Sequence, residues 1–497
     1  MHAVLLVVLV YTVLIGMYGR LRVIDGDEGY YASAARLVSE GHVPYLDFFY
    51  PQAPILPFVY GAWAKFAGYS LASLRILSTL LAAIAVGLWA WFLFEEYDLL
   101  IALTTFLVLL LNPFLLSWSV VVKTFALANL FATLTLISLW RAGVTHRPVW
   151  MFAAGVSSGL VVSTRLLYAA IPLVIVFWLS FRRQSTPVIA RRSSLMAFIS
   201  GTVLALIPAL YLFIRDPDVF VFNNIGYHLL RSDNPSAMLH AQQAGSYLVD
   251  TFSAHGYLLL VIVFVVVGAC VVIFQKKENR THNFPLLEIA LLSTIVLLIT
   301  SLIPIPLYEQ YFTAPLAPLA LPLVAAGVAQ LGRWRRVTVF VALPAVILLS
   351  AVEVQHDQRT QAYLLGAWRL AVFDSVSTYI RNHTVDSDTV LSPWPGYACE
   401  SSRQFMPGFE NQFGLPVAER LTNAERRHYR LAGKDSFISA VGRSGPRLVI
   451  IGAFVGPLFA EHGEGDRGGL YRALDEGYTL ATEIEGVFIY ERKTGQR

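Results

Sequence analysis

The chain has 497 residues, 56% of them hydrophobic and 14% charged, with a formal net charge of +4. Soluble domains are about 45–50% apolar and about 25% charged, so this balance excludes an ordinary soluble protein, and the small net charge speaks against a nucleic-acid partner. Two cysteines, Cys270 in an apolar block and Cys399 in the polar tail, supply neither a disulfide framework nor a cysteine metal site.

A membrane-spanning helix needs about 20 mostly apolar residues. The apolar blocks predict spans near 3–18, 70–94, 98–112, 114–140, 149–163, 166–181, 195–214, 256–274, 286–303, 312–331 and 337–353. The first lacks the basic flank and small-residue cleavage site of a signal peptide, so it reads as a retained anchor. After it, Glu28–Glu40 reads as a short amphipathic helix with Tyr31, Ala35 and Val38 on one face. The stretch Pro51–Gly68 is apolar but interrupted by Pro54 and Pro57, which predicts an interfacial helix. The fold class expected is a multi-pass α-helical membrane protein of about 11 transmembrane helices.

The tail, 354–497, changes character. A helical pattern near 366–382 precedes strand-like runs at Thr389–Leu391, Leu448–Ile451 and Val487–Tyr490, punctuated by glycine and proline. This reads as a small C-terminal α/β domain that guides substrate or caps the structure, with no phosphate loop or nucleophile elbow. The domain boundary is therefore set between 1–353 and 354–497.

Basic residues in short loops set orientation. Arg141 with Arg147, Arg182, Arg183, Arg191 and Arg192, then Lys276, Lys277 and Arg280, and finally Arg333, Arg335 and Arg336 all fall on one side, which reads as cytoplasmic. Segments 19–69, 215–255 and 354–497 then face outward, and a plasma-membrane location with an extracytoplasmic C-terminal domain is expected. Arg20 and Arg22, on the outer flank of the first span, oppose this. The sequon Asn382-His383-Thr384 matters only in a glycosylating compartment.

Polar groups gather at the outer ends of the spans. Asp25, Asp27 and Glu28, followed by Tyr30 and Tyr31, come directly after the first span. Asp25 with Glu28 fits a helix cap with a reciprocating acid, which leaves the third carboxylate unexplained. Tyr50, Gln52 and Arg75 follow; Lys123 lies inside the predicted fourth span, and Arg165 sits at an outer turn. Boundary cations face a cavity or a partner, or extend to the headgroups. Later loops add His228, Arg231, Tyr308, Glu309 and Tyr311. Carboxylates beside cations suit a lipid-tailed phosphate substrate: a carboxylate takes the proton of an acceptor hydroxyl, and cations steady the departing phosphate.

The segment Asp27-Glu28-Gly29-Tyr30, Ala34-Ala35-Arg36-Leu37, Glu40-Gly41, Pro44-Tyr45 and Pro54, with Gly68 and Arg75, resembles the GT-C glycosyltransferases that use polyprenyl-phosphate sugars. The likeness is to the group of dolichyl-phosphate-mannose–protein mannosyltransferases and the lipid A aminoarabinose transferase. It implies a multispan body with an outward soluble tail, and an inverting transfer from a polyprenyl-phosphate sugar donor to a protein, lipid or glycan acceptor. Asp27 matches the family's proposed base, with Glu28 beside it as a second catalytic candidate. Arg165 matches a donor-phosphate position, and Lys123 and Arg75 join it as donor-phosphate candidates. Asp25, Tyr30, Tyr50, Gln52, His228, Arg231, Tyr308 and Glu309 are the pocket candidates. The resemblance implies no metal or cofactor. Lys123 stands where many members carry an acid, which makes either a phosphate contact, a different acceptor chemistry or a divergent member. Two other readings remain: a transporter or flippase of lipid-linked sugars, and a non-catalytic homologue.

Overall fold

The computed structural model describes residues 2–110, 113–181, 188–231, 237–254, 256–274, 284–308, 310–314, 316–331, 368–443, 445–452 and 464–493. The first helices are α1 (His2–Leu21), α2 (Glu28–Ser39), α3 (Ile55–Ala67), α4 (Leu71–Glu96), α5 (Leu99–Leu110), α6 (Pro113–Val120), α7 (Thr124–Thr145) and α8 (Pro148–Thr164). There follow α9 (Ala170–Phe181), α10 (Val188–Arg215), α11 (Pro217–Val221), α12 (Tyr227–Leu230), α13 (Ala237–Ala254), α14 (Gly256–Phe274), α15 (Phe284–Ser301), α16 (Gln310–Thr313) and α17 (Leu316–Ala329).

Four of the described helices are long and apolar enough to cross a membrane: Val4–Leu21, Leu71–Glu96, Thr124–Thr145 and Arg192–Arg215. Shorter apolar helices occupy Leu99–Leu109, Pro148–Thr164, Leu166–Phe181, Val261–Phe274, Pro285–Ser301 and Pro318–Ala329. The predicted span at 337–353 lies outside the described residues, as do Arg182, Arg183, Lys276, Lys277, Arg280, Arg333, Arg335 and Arg336. Close helix approach replaces the hydrophobic drive that lipid removes. A Cβ on Gly155 of α8 would come within 2.0 Å of the Phe198 carbonyl oxygen on α10, so only glycine permits this crossing.

The predicted fourth span is overturned. Helix α6 stops at Val120 and α7 restarts at Thr124, with Lys123 in extended backbone at φ −141°. Lys123 therefore sits at a helix start, not ten residues into a span. The break survives because its polar groups are met inside the protein: Val122 N–H donates to Glu28 Oε1 at 2.8 Å, and Ser78 Oγ donates to the Val121 carbonyl at 3.1 Å.

The two lateral helices expected after the first span are α2 and α3, with Gly68 at φ +81° ending α3. Ser70 then caps α4 by accepting Ser73 N–H. Beyond the spans, β1 (Thr389–Leu391), β2 (Gln404–Phe405), β3 (Leu448–Ile451), β4 (Tyr478–Ile484) and β5 (Val487–Arg492) form one sheet in the order β2-β1-β3-β5-β4. Strand β1 pairs in parallel with β2 and β3; β5 is antiparallel to β3 and β4. Helix Leu370–His383 buries Phe373, Val376 and Ile380 beneath it.

One hydrophobic core joins the layers. It holds Tyr30, Tyr31, Tyr50 and Tyr60 from the lateral helices and their loop, Leu74, Leu81 and Ala126 from α4 and α7, and Phe373, Trp394 and Tyr397 from the α/β layer. The lateral helices are thus held between the bundle and the sheet, and their loops are fixed from both sides.

Candidate functional site

The chain leaves α1 and turns at Asp25-Gly26-Asp27 before α2 begins. Only half of the expected cap forms: Asp25 N–H donates to Glu28 Oε2 at 2.9 Å, but the Asp25 carboxylate instead accepts Asp27 N–H at 2.9 Å. Glu28 points inward and is fully buried. It receives Arg75 Nε at 2.9 Å and Arg75 Nη2 at 2.5 Å, while Arg75 also donates to the carbonyls of Gly19, Arg22 and Val23. Every hydrogen-bonding direction of this guanidinium is spent within the protein.

Lys123, at the start of α7, meets the other two carboxylates. Its Nζ lies 2.8 Å from Asp25 Oδ1 and 2.9 Å from Asp27 Oδ2. The ammonium side chain is 3% exposed, whereas Asp25 is 16% and Asp27 29% exposed. Trp118 covers the ammonium, its ring centroid 5.0 Å away. Burial drives both carboxyls up. For Asp25, Lys123, the Asp27 N–H and Arg22 overcome burial and bring it below the ordinary value. For Asp27, burial wins, with the like charge of Asp25 adding to it against Lys123, so its proton affinity is raised. One ammonium thus serves both acids, and the bond and charges particular to each make Asp25 the firmer anion and Asp27 the more basic carboxylate.

These groups line a cavity of about 290 Å³. Asp25, Asp27, Tyr30 and Gln52 come from the first outer segment, Lys123 and Phe125 from α7, and Arg165 from the end of α8. His228 and Arg231 reach it from α12 and its cap, and Tyr308, Gln310 and Tyr311 close another side. Arg165 breaks helix α8 by adopting φ −153°, and its Nη1 donates to Thr124 Oγ1 at 2.8 Å. Its guanidinium lies 4.4 Å from the Phe125 ring centroid, and its buried Nε–H finds no partner among the described residues. Arg231 Nε donates to the Ile305 carbonyl at 3.2 Å and Nη2 to Tyr311 Oη at 3.3 Å. Burial first, then Arg231 and Arg165, push His228 down to about 4, so it is neutral at neutral pH. Among the described residues no group of three or more His, Cys, Asp and Glu side chains could hold a metal ion.

Of the sequence candidates, Asp25, Asp27, Tyr30, Gln52, Lys123, Arg165, His228, Arg231 and Tyr308 are brought to this one cavity. Three are not. Glu28 and Arg75 are buried against each other and neither lines the cavity, a geometry that fits a structural pair. Tyr50 is fully buried among Tyr30, Tyr31 and Tyr45 and lines no part of it. Glu309 lies outside the described residues. The site candidates from sequence omitted Tyr227, Gln310 and Phe413, which also line the cavity. Tyr227 adjoins His228; Phe413 comes from the tail, and its sequence context gave no signal at all.

No protein-family model matches the chain, and no curated protein matches it in sequence. Solved structures do match in fold, two of ArnT among them. ArnT from Cupriavidus metallidurans bound to undecaprenyl phosphate has a TM-score of 0.67 at 13% identity, over 99% of this chain and 98% of that one. The apo state of the same protein has a TM-score of 0.68 at 14% identity, over 98% and 97% of the two chains. With its long apolar helices the protein is an integral membrane protein, and its fold is the ArnT fold, that of the GT-C group its sequence resembles.

Proposed function

We propose that the protein is an inverting glycosyltransferase that moves a sugar from a polyprenyl-phosphate donor to an acceptor hydroxyl at the outer face of the membrane. The observation that carries this reading is one cavity holding both a partly exposed, proton-attracting Asp27 and a buried Arg165 with donor capacity to spare. The acceptor oxygen attacks the anomeric carbon from the side opposite the phosphate and its proton passes to Asp27. The bond between that carbon and the phosphate oxygen breaks, and the electron pair leaves with polyprenyl phosphate. Inversion follows from the single displacement. Arg165 and Arg231 hold the phosphate, and Lys123 holds the two carboxylates in place.

Charge supports the same assignment. Among the described lining residues, Lys123, Arg165 and Arg231 stand against Asp25 and Asp27, leaving one positive charge for a phosphodiester carrying one negative charge. When Asp27 takes the proton, the lining gains a second positive charge as the leaving phosphate approaches a charge of about −2. The cavity stays matched throughout the step, which favours transfer over mere binding.

The ArnT structure bound to undecaprenyl phosphate supports a polyprenyl-phosphate donor here. Arg141 and Arg147 lie at the end of the helical bundle opposite Lys123 and Arg165, which supports an extracytoplasmic site, and the bonds of Trp394 and Gln412 to Gly26 at that same end support an outward α/β layer. The test is transfer of labelled sugar from a panel of polyprenyl-phosphate donors by the purified protein and its Asp27→Asn variant. Inverted product from wild type and none from the variant is the expected result. A variant as active as wild type removes Asp27 from the role of base, and a wild type inactive with every donor removes the enzyme.

A further inference from the structure

We infer that the C-terminal α/β layer is part of the catalytic apparatus, with Trp394 and Gln412 as positioning residues that fix the peptide preceding Asp27. This rests on the transferase reading for its chemistry, but the geometry stands by itself. The Gly26 carbonyl accepts Trp394 Nε1–H at 2.9 Å and Gln412 Nε2–H at 2.9 Å. A carbonyl oxygen has two lone pairs, and here both are taken by side chains lying more than 360 residues away in sequence. Trp394 is 2% exposed and Gln412 1% exposed, so neither bond is diluted by water.

The Gly26 carbonyl and the Asp27 N–H belong to one rigid planar peptide. Its oxygen is held by the α/β layer and its N–H by the Asp25 carboxylate at 2.9 Å. Rotation of that peptide would swing the Asp27 side chain away from Lys123, so the two tail residues fix the direction of the base. The sequence makes room for this at Gly29, where a Cβ would come within 2.5 Å of the Trp394 indole. Only glycine lets that ring lie against the first turn of α2. The neighbouring Phe413 continues the same contact into the cavity, meeting Tyr30 edge-on at 5.6 Å.

Docking alone does not require these bonds. Arg36 on α2 already anchors the layer, its Nη1 donating to the Arg403 carbonyl at 2.7 Å and to the Ala398 carbonyl at 3.2 Å. Glu400 adds a second anchor by accepting Leu71 N–H at 2.7 Å. Trp394 and Gln412 act at a different place, on the loop between the two acids.

The test compares full-length wild type, Gln412→Met and Trp394→Phe in detergent. Each variant removes one donor while retaining most of the side-chain volume, so Gln412→Met keeps the question open if Trp394→Phe folds poorly. Two readouts are taken: kinetics with a labelled polyprenyl-phosphate sugar across pH, and amide exchange at residues 25–31. The expected result is a kcat loss on the order of tenfold with unchanged donor KM. The acid limb of the profile moves to higher pH as Asp27 loses its hold on Lys123, and exchange at 25–31 speeds up. Faster exchange with wild-type kcat and pH profile would show that the layer merely packs. Unchanged exchange would show that the bonds do not hold the loop. An inactive wild type overturns the transferase reading, while the exchange result alone then decides whether the loop is clamped.

Discussion

Two ion-pair systems grow from one short motif, and they are built for opposite ends. Glu28 faces inward to Arg75, with four donors directed at its two oxygens and no exposure. Its neighbour Asp27 faces the cavity, shares Lys123 with Asp25 and keeps 29% of its side chain accessible. A single peptide bond separates a carboxylate that holds two helices and a broken span together from one free to receive a proton. The difference teaches that saturation of the oxygens, more than the presence of a charge partner, separates a structural acid from a reactive one.

The sharpest way to break that comparison is to neutralise each acid in turn. Asp27→Asn should lower transfer by about 10²- to 10⁴-fold, the range of a lost general base, with the melting temperature unchanged. Glu28→Gln should do the reverse, lowering stability by about 3–5 kcal/mol because Arg75 is left buried without its counter-charge. Melting in detergent checks this, and Glu28→Gln combined with Arg75→Met should recover part of the loss. Equal melting temperatures for wild type and Glu28→Gln would remove the distinction.

A smaller effect sharpens the cavity side. Arg165→Ala should weaken donor binding by about 10- to 100-fold, the worth of charged hydrogen bonds of about 1.5–3 kcal/mol, seen as a higher donor KM. Asp25→Asn tests the carboxylate pair itself. Burial and the Asp25 charge both raise Asp27, so removing that charge should move the acid limb of kcat to lower pH. A limb that stays in place would assign the raised affinity to burial alone.

Much of this was legible in the sequence, for physical reasons that also mark where legibility ended. Apolar blocks and proline breaks located most of the described spans and both lateral helices, because those signals are local. The convergence of Asp25, Asp27, Arg165, His228 and Arg231 on one boundary followed from where span ends fall. The break at 121–123 was invisible, since Val120, Val121 and Val122 read as continuous span. What opens the helix is a carboxylate 94 residues earlier in the chain, Glu28 accepting Val122 N–H. The inward turn of Glu28 and Arg75 was illegible for the same reason: a motif shows charge but not which way a side chain turns. Gln412 and Phe413 carried no sequence signal, because their significance lies wholly in a contact with Gly26 and Tyr30 made by folding.

The seam between the α/β layer and α4 offers the mildest effect and a different kind of carboxylate. Glu400 accepts Leu71 N–H at the start of α4, yet burial outweighs that bond and raises its pKa from the ordinary 4.5 to about 7. Asp374 pushes in the same direction, and Arg381 opposes it. Between those two pH values the folded protein binds more protons than the unfolded chain, so stability is greatest below the lower value and falls as pH rises through the upper one. Glu410, raised by burial to about 7, titrates in the same window. Glu400→Gln should therefore remove part of the decline, leaving melting temperatures that drop less than those of wild type from about pH 5 to about pH 8. Parallel profiles for the two proteins would mean that Glu400 is ionised in the fold at no cost, and that its bond to Leu71 governs the seam after all.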